Sequence, residues 1–139
     1  MKVEFVQLQS HGDERGKLVA LEENKNTPFE IKRVYYMFNT KSGVRRGFHA
    51  HKELNQLAIT VRGSCRFYLD DGKEKIDITL DSPSQGLLLE PYVWHEMYDF
   101  SEDCVLMILA DKYYDESDYI RSYEEFLEEA KCNVHSPAK

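Results

Sequence analysis

Two histidines, His49 and His51, close the run Arg46-Gly47-Phe48-His49-Ala50-His51. Residues two apart on a strand project from the same face. The two imidazoles are therefore expected to stand side by side, with Phe48 and Ala50 on the opposite face. Imidazole titrates near neutrality, and its neutral form is both a general base and a metal ligand. Such a pair fits two chemistries: moving protons on a substrate, or holding a metal ion. Lys41, Arg45, Arg46 and Lys52 surround the pair in a chain whose formal net charge is −7. A local basic cluster on an acidic chain points to a small anionic ligand. The overall charge argues against nucleic acid as the main partner, because phosphate contacts need a basic face.

The elements that must position these residues are mostly strands. Short alternating runs separated by Gly, Asp, Asn or Pro predict strands over Val3–Gln9, Lys17–Glu22, Lys32–Asn39, Gly47–His51, Gln56–Val61, Ser64–Asp70, Lys75–Leu80, Gly86–Glu90, His95–Phe100 and Cys104–Ala110. Asp71-Gly72 marks a hairpin whose two turn residues would both adopt positive φ. Many strands without intervening helices predict an all-β sandwich or barrel. One short C-terminal helix is expected, capped by Ser122 with Glu125 three residues on, and with Tyr123, Phe126, Leu127 and Ala130 as its apolar stripe. The 139 residues fit a single domain over 1–132, with 133–139 as a tail.

The N-terminus has no apolar signal segment, and the longest apolar run, Cys104 to Ala110, is too short to span a bilayer. The expectation is a soluble cytoplasmic protein with no membrane partner. Cys65, Cys104 and Cys132 form no Cys-x-x-Cys pair. Cys65 and Cys104 lie in strand-like runs and read as small buried apolar residues.

Between His51 and Gln56 the segment Lys52-Glu53-Leu54-Asn55 must turn, so that Gln56 can open the next strand facing the same pocket. Ala58 and Thr60 then follow Gln56 inward. Leu57, Ile59 and Val61 form an apolar outer face, to be buried by a second layer of the chain or by another subunit. The spacing of Gly43, His49, His51, Gln56 and Gly63 resembles the first signature of the cupin superfamily, and Gly86, Pro91, His95 and Asp99 loosely resemble the second. The resemblance implies a double-stranded β-helix, or jelly-roll, barrel. Metal-binding cupins use three His and one Glu, whereas Gln56 here is a neutral amide that cannot balance a cation's charge.

Arg46-Gly47-Phe48-His49 is similar to the Arg-Gly-Leu-His segment of dTDP-sugar 3,5-epimerases, in which the Arg holds phosphate and the His abstracts a proton beside a ketone. Asp13-Glu14-Arg15-Gly16 is similar to an Asp-x-Arg-Gly motif there, implying that Arg15 helps hold the nucleotide. Beyond these segments the chain departs from the epimerases. Ile31 to Tyr36, Arg46 to Ser64, and Tyr114 to Arg121 resemble the sugar 3,4-ketoisomerases, the WxcM-like cupins, over about Val3 to Ala130. That family implies a metal-free, cofactor-free homodimer acting on a dTDP-linked 4-keto-6-deoxyhexose in deoxyamino-sugar biosynthesis for cell-surface glycans.

On this reading His49 and His51 are catalytic, with His49 the base at carbon and His51 its partner. Arg15, Arg33, Tyr35, Arg46, Gln56 and His95 bind substrate. His95 and Arg15 would shape the face on which C4 is reprotonated, while the arginine forks suit a diphosphate. The Tyr- and Asp-rich segment from Tyr113 to Arg121 reads as a subunit contact or an acidic loop. The rivals are a 3,5-epimerase, a non-catalytic sugar-nucleotide-binding cupin and a metal-dependent oxygenase.

Overall fold

The computed structural model of the chain describes residues 1–134. Its strands are β1 (Phe5–Gln7), β2 (Ser10–Asp13), β3 (Gly16–Val19), β4 (Arg33–Met37), β5 (Arg46–His51), β6 (Gln56–Arg62), β7 (Cys65–Asp70), β8 (Lys75–Leu80), β9 (Gln85–Leu89), β10 (Trp94–Tyr98), β11 (Val105–Ala110) and β12 (Tyr119–Ile120). The helix α1 (Tyr123–Val134) closes the described chain. One five-stranded sheet runs β1-β9-β6-β11-β4 and a second runs β12-β5-β10-β7-β8, while β2 and β3 form a separate hairpin. Every pairing is antiparallel. This is the all-β jelly-roll barrel with a short C-terminal helix that the sequence predicts.

The alternation of side chains along each strand builds the core. Ala58, Leu87, Leu106 and Ile108 from the first sheet meet Cys65, Phe67, Leu69, Leu80 and Met97 from the second. Cys65 and Cys104 are buried here, as their strand context predicts. The outer face of β6 is covered within the chain: Leu57 and Ile59 pack with Leu8, Leu109, Leu21, Phe29 and Ile31. Of the two covers left open by the sequence for that face, the second layer is the one formed. Val61, at the end of the row, stays 42% exposed.

Several elements differ from the sequence expectation. The first predicted strand shortens to β1, and Ser10–Asp13 forms an unforeseen strand facing β3. The hairpin at Asp71-Gly72 exists, but Asp70 pairs with Lys75, so its loop has four residues and only Gly72 takes positive φ. Asp71 shapes that loop differently, its carboxylate accepting from the backbone N–H groups of Lys73 and Glu74 at 2.9 and 2.8 Å. Residues 71–74 thus use an Asx-type turn rather than a two-residue one.

Ser122 caps α1 by accepting from the Glu125 N–H at 3.2 Å. The helix lays Phe126 and Ala130 against Ala50, Trp94 and Ile120, on the outside of the second sheet. Leu127, assigned to the same stripe, is instead 37% exposed. The helix runs on through residues 133 and 134, two positions into the stretch read as a tail, and 135–139 lie outside the described residues.

Candidate active site

The histidines are brought together by pairing of β5 with β10 and of β5 with β12. His49 stands opposite His95, and Tyr119 opposite His51. Ring centroids lie 5.0 Å apart for His49 and His51, 4.6 Å for His49 and His95, and 5.9 Å for His51 and His95. The ring of Tyr119 closes the cluster at 4.9 Å from His49 and 4.4 Å from His51. β5 is not an ideal strand. Gly47 and Phe48 both take positive φ, and the ladder to β10 slips beside them, between His95 and Glu96. A Cβ on Gly47 would sit 2.8 Å from the His95 carbonyl oxygen, so glycine is required for the close approach. Phe48 and Ala50 both point away from the cluster, but into different surroundings: Phe48 is 45% exposed and Ala50 is fully buried.

Each imidazole is anchored through Nδ1. His49 Nδ1 lies 2.9 Å from the Gly47 carbonyl oxygen, His95 Nδ1 3.3 Å from that of Val93, and His51 Nδ1 3.2 Å from Asp118 Oδ2. Burial lowers all three pKa values from the ordinary imidazole value. For His49 the Gly47 carbonyl opposes the fall. His95 drops well below the usual range, helped by its two histidine neighbours. His51 falls to about 4, driven by burial and then by His49, against the pull of Asp118. Three neutral imidazoles therefore face one another at neutral pH.

A cavity of about 360 Å³ opens over His49 and His95, with Arg33, Tyr35, Arg46 and Tyr119 on its walls. A second, of about 330 Å³, lies beyond Tyr114 and Tyr119 and is bordered by His51, Asp118, Arg33 and Lys112. Arg33 reaches both. Its guanidinium stacks over Tyr35 at 5.0 Å and Tyr114 at 5.7 Å, and its buried Nε has no protein partner. β4 puts Arg33 and Tyr35 on one inward face, as their spacing predicts.

Two of the residues expected to bind substrate lie elsewhere. Gln56 is buried behind Tyr35, whose hydroxyl donates to its Oε1 at 2.5 Å; it supports the wall instead of lining the cavity. Arg15 sits at the tip of the β2–β3 hairpin with its side chain 87% exposed, paired with Asp13 at 2.8 Å. The basic cluster also disperses, leaving Arg46 as its one member on the histidine cavity. Arg45 turns to the outer face, where it donates to Glu96 at 2.6 Å and stacks on Tyr98, and Lys41 borders a different hollow.

The segment read as a subunit contact or an acidic loop forms a wall of this site. Asp118, Tyr119 and Tyr114 come from it, and Arg121, paired with Glu116 at 2.7 Å, stacks on Tyr119. Sequence reasoning missed these roles because only the pairing of β12 with β5 reveals them; the concentration of Tyr and Asp and the segment's resemblance to the ketoisomerases were the available signals. As a metal site the cluster offers three ring nitrogens within 4.8 Å of one another. The residue that would supply a fourth, anionic ligand is the amide Gln56, already engaged by Tyr35.

The family model described as FdtA, WxcM-like, C-terminal matches residues 1–131. The chain belongs to the FdtA, WxcM-like family. Across 123 residues this family member is 63% identical to a TDP-4-oxo-6-deoxy-alpha-D-glucose-3,4-oxoisomerase of Aneurinibacillus thermoaerophilus, covering 88% of each chain. Its fold superimposes on the sugar 3,4-ketoisomerase QdtA of Thermoanaerobacterium thermosaccharolyticum, solved with TDP, with a TM-score of 0.92 at 43% identity, over 94% of this chain and 96% of that one. It also matches the TDP-quinovose 3,4-ketoisomerase WlaRB of Campylobacter jejuni, with a TM-score of 0.86 at 47% identity, over 91% and 97% of the two chains.

Proposed function

We propose that this WxcM-like protein is a TDP-sugar 3,4-ketoisomerase that converts TDP-4-keto-6-deoxyglucose into the corresponding 3-keto sugar. The observation that carries this reading is the set of three imidazoles, each anchored at Nδ1, beside an arginine-walled cavity. Its relatives' activities agree. Moving the carbonyl from C4 to C3 is an internal redox change: C3 is oxidised, C4 is reduced, and no external electron acceptor is needed. A base takes the C3 proton, the electron pair passes into an enediolate, and C4 regains a proton. Meanwhile the O3 proton must reach O4.

His49 and His95 border the cavity in which the sugar ring would lie, which supports His49 as the base at carbon, with His51 behind it serving the oxygens. Arg46 and Arg33 would hold the diphosphate, Tyr35 the sugar wall, and His95 the face of C4 that is reprotonated. Positioned proton transfer contributes about 10²–10⁴-fold, so stabilisation of the enediolate by the surrounding donors must supply the larger share.

The protein would act in the cytoplasm as a homodimer. Val34 and Tyr36 on β4, an edge strand of the first sheet, and Phe38 just beyond its end stand 52%, 62% and 58% exposed. An apolar row on an open edge is a surface that calls for cover. Arg15, which lines neither cavity at the histidines of its own chain, would meet substrate only in a neighbouring one.

The test is to mix the protein with TDP-4-keto-6-deoxyglucose and follow carbonyl position and C3 deuterium exchange by NMR. A 3-keto product formed after exhaustive chelation supports the metal-free isomerase. Inversion at carbon with the carbonyl left at C4 would make the protein an epimerase, and TDP binding without turnover a non-catalytic binding protein.

A further inference from the structure

His51 differs from the other two histidines in the partner of its Nδ1. Those of His49 and His95 face backbone carbonyls, whereas that of His51 faces the Asp118 carboxylate, which carries a full negative charge. Carbonyl and carboxylate oxygens only accept, so His51 Nδ1 carries the hydrogen and Nε2 bears the lone pair. That Nε2 is buried and has no protein partner.

Asp118 is itself held from several sides. Its Oδ1 accepts from the Glu53 backbone N–H at 2.8 Å, and its carbonyl accepts from the Lys52 N–H at 3.0 Å. It ends the 3-10 turn Glu116–Asp118, which Asp115 caps by accepting from the N–H and hydroxyl of Ser117 at 3.0 and 2.7 Å. Immediately after it, β12 pairs Tyr119 with His51. A carboxylate fixed by so many contacts does not follow the ring; the ring is oriented by it.

We propose that Asp118 is the positioning residue for His51: it fixes the tautomer in which Nε2 is the proton-accepting nitrogen, and its charge steadies the imidazolium formed when that nitrogen takes a proton. The assignment rests on the isomerase reading for its place in the reaction. There His51 Nε2 takes the O3 proton from the enediolate and returns it to O4. One O–H bond breaks and another forms, while the carbon-bound proton travels separately through His49. A ring held by a carbonyl alone has no fixed charge to offset the cation. A carboxylate in that position does.

The substitution Asp118→Asn tests this. The Oδ1 contact to the Glu53 N–H can persist, but the amide then turns its NH₂ toward His51 Nδ1, which demands the opposite tautomer. The ¹⁵N shifts of His51 in the free wild-type protein are expected to show a protonated Nδ1 and a bare Nε2, and Asp118→Asn to exchange them. In turnover, kcat is expected to fall roughly 10²-fold or more while KM stays within about threefold. Wild-type His51 protonated at Nε2 would overturn the proposal, as would a folded Asp118→Asn protein with kcat within about threefold of wild type. The wild-type ¹⁵N measurement needs neither a folded variant nor turnover. It separates failure of this assignment from failure of the isomerase reading, which the product assay decides.

Discussion

At the scale of single residues, the site is a set of imidazoles kept neutral by burial. His51 titrates near 4 in the fold, against the ordinary 6.5 in an unfolded chain. Between those values the unfolded chain binds more protons, so stability rises with pH across the window. His51's contribution is complete above about pH 6.5 and is lost progressively as the pH falls toward 4. Denaturation midpoints measured over that range should decline on acidification, and His51→Asn should flatten the decline. The same residue pair gives the kinetic prediction. His49→Asn and His51→Asn each keep size and hydrogen bonding but remove the titrating ring. Each should lower kcat roughly 10²-fold or more while TDP affinity, measured by calorimetry, stays near wild type. Full activity in both variants would rule out a histidine-driven mechanism.

The pair itself was legible, because the two-residue spacing in a strand puts both rings on one face. Tyr35 and Arg33 were legible for the same reason. Gln56 misled: strand parity places it inward, but inward there means behind Tyr35, and parity says nothing about depth. Arg15 was carried by motif resemblance alone, and the described chain leaves it on an exposed hairpin.

At the scale of elements, β12 is the piece that sequence periodicity could not supply. Tyr119–Ile120 is two residues long, too short to show any alternation, yet it seats Asp118 and Tyr119 against the histidines. Its support comes from α1, whose Phe126 and Ala130 pack on Ile120 and Trp94. Tyr123 adds a tether, its hydroxyl donating to the buried Asp70 carboxylate at 2.6 Å while its ring meets Trp94 at 5.3 Å. Phe126 is fully buried, so Phe126→Ala should cost about 3–5 kcal/mol in chemical denaturation. Because β12 rests on that helix, kcat of the surviving folded protein should fall further than any change in TDP binding. The long strands around the core were readable from alternation. The shortened β1, the β2–β3 hairpin and the four-residue turn at 71–74 were not, because short strands and Asx turns leave weak periodic signals.

At the scale of the molecule, the two sheets and their in-chain covers bury the core and leave scattered large apolar residues exposed, Leu18, Phe48 and Tyr113 among them, together with one row at β4. Val34, Tyr36 and Phe38 remain outside, with Tyr36 and Phe38 in ring contact at 6.0 Å. The paired substitution Tyr36→Lys and Phe38→Asp should shift the protein from dimer to monomer in sedimentation while leaving its folded spectrum intact. A wild-type protein that sediments as a monomer would remove the assembly reading. The sequence pointed to assembly through a different face, the outer side of β6. That face is covered by the chain's own Leu8 to Ile31 segment, a long-range packing that alternation cannot anticipate.

Binding and catalytic groups usually sit on loops, the parts of a fold that open most easily. Here His49, His51 and His95 lie on β5 and β10, interior strands of the second sheet, locked face to face where Gly47 admits the His95 carbonyl. The geometry of the cluster therefore rests on paired interior strands rather than on a loop. Heat inactivation and melting should coincide, with no milder temperature at which the fold survives and the histidine cluster has come apart.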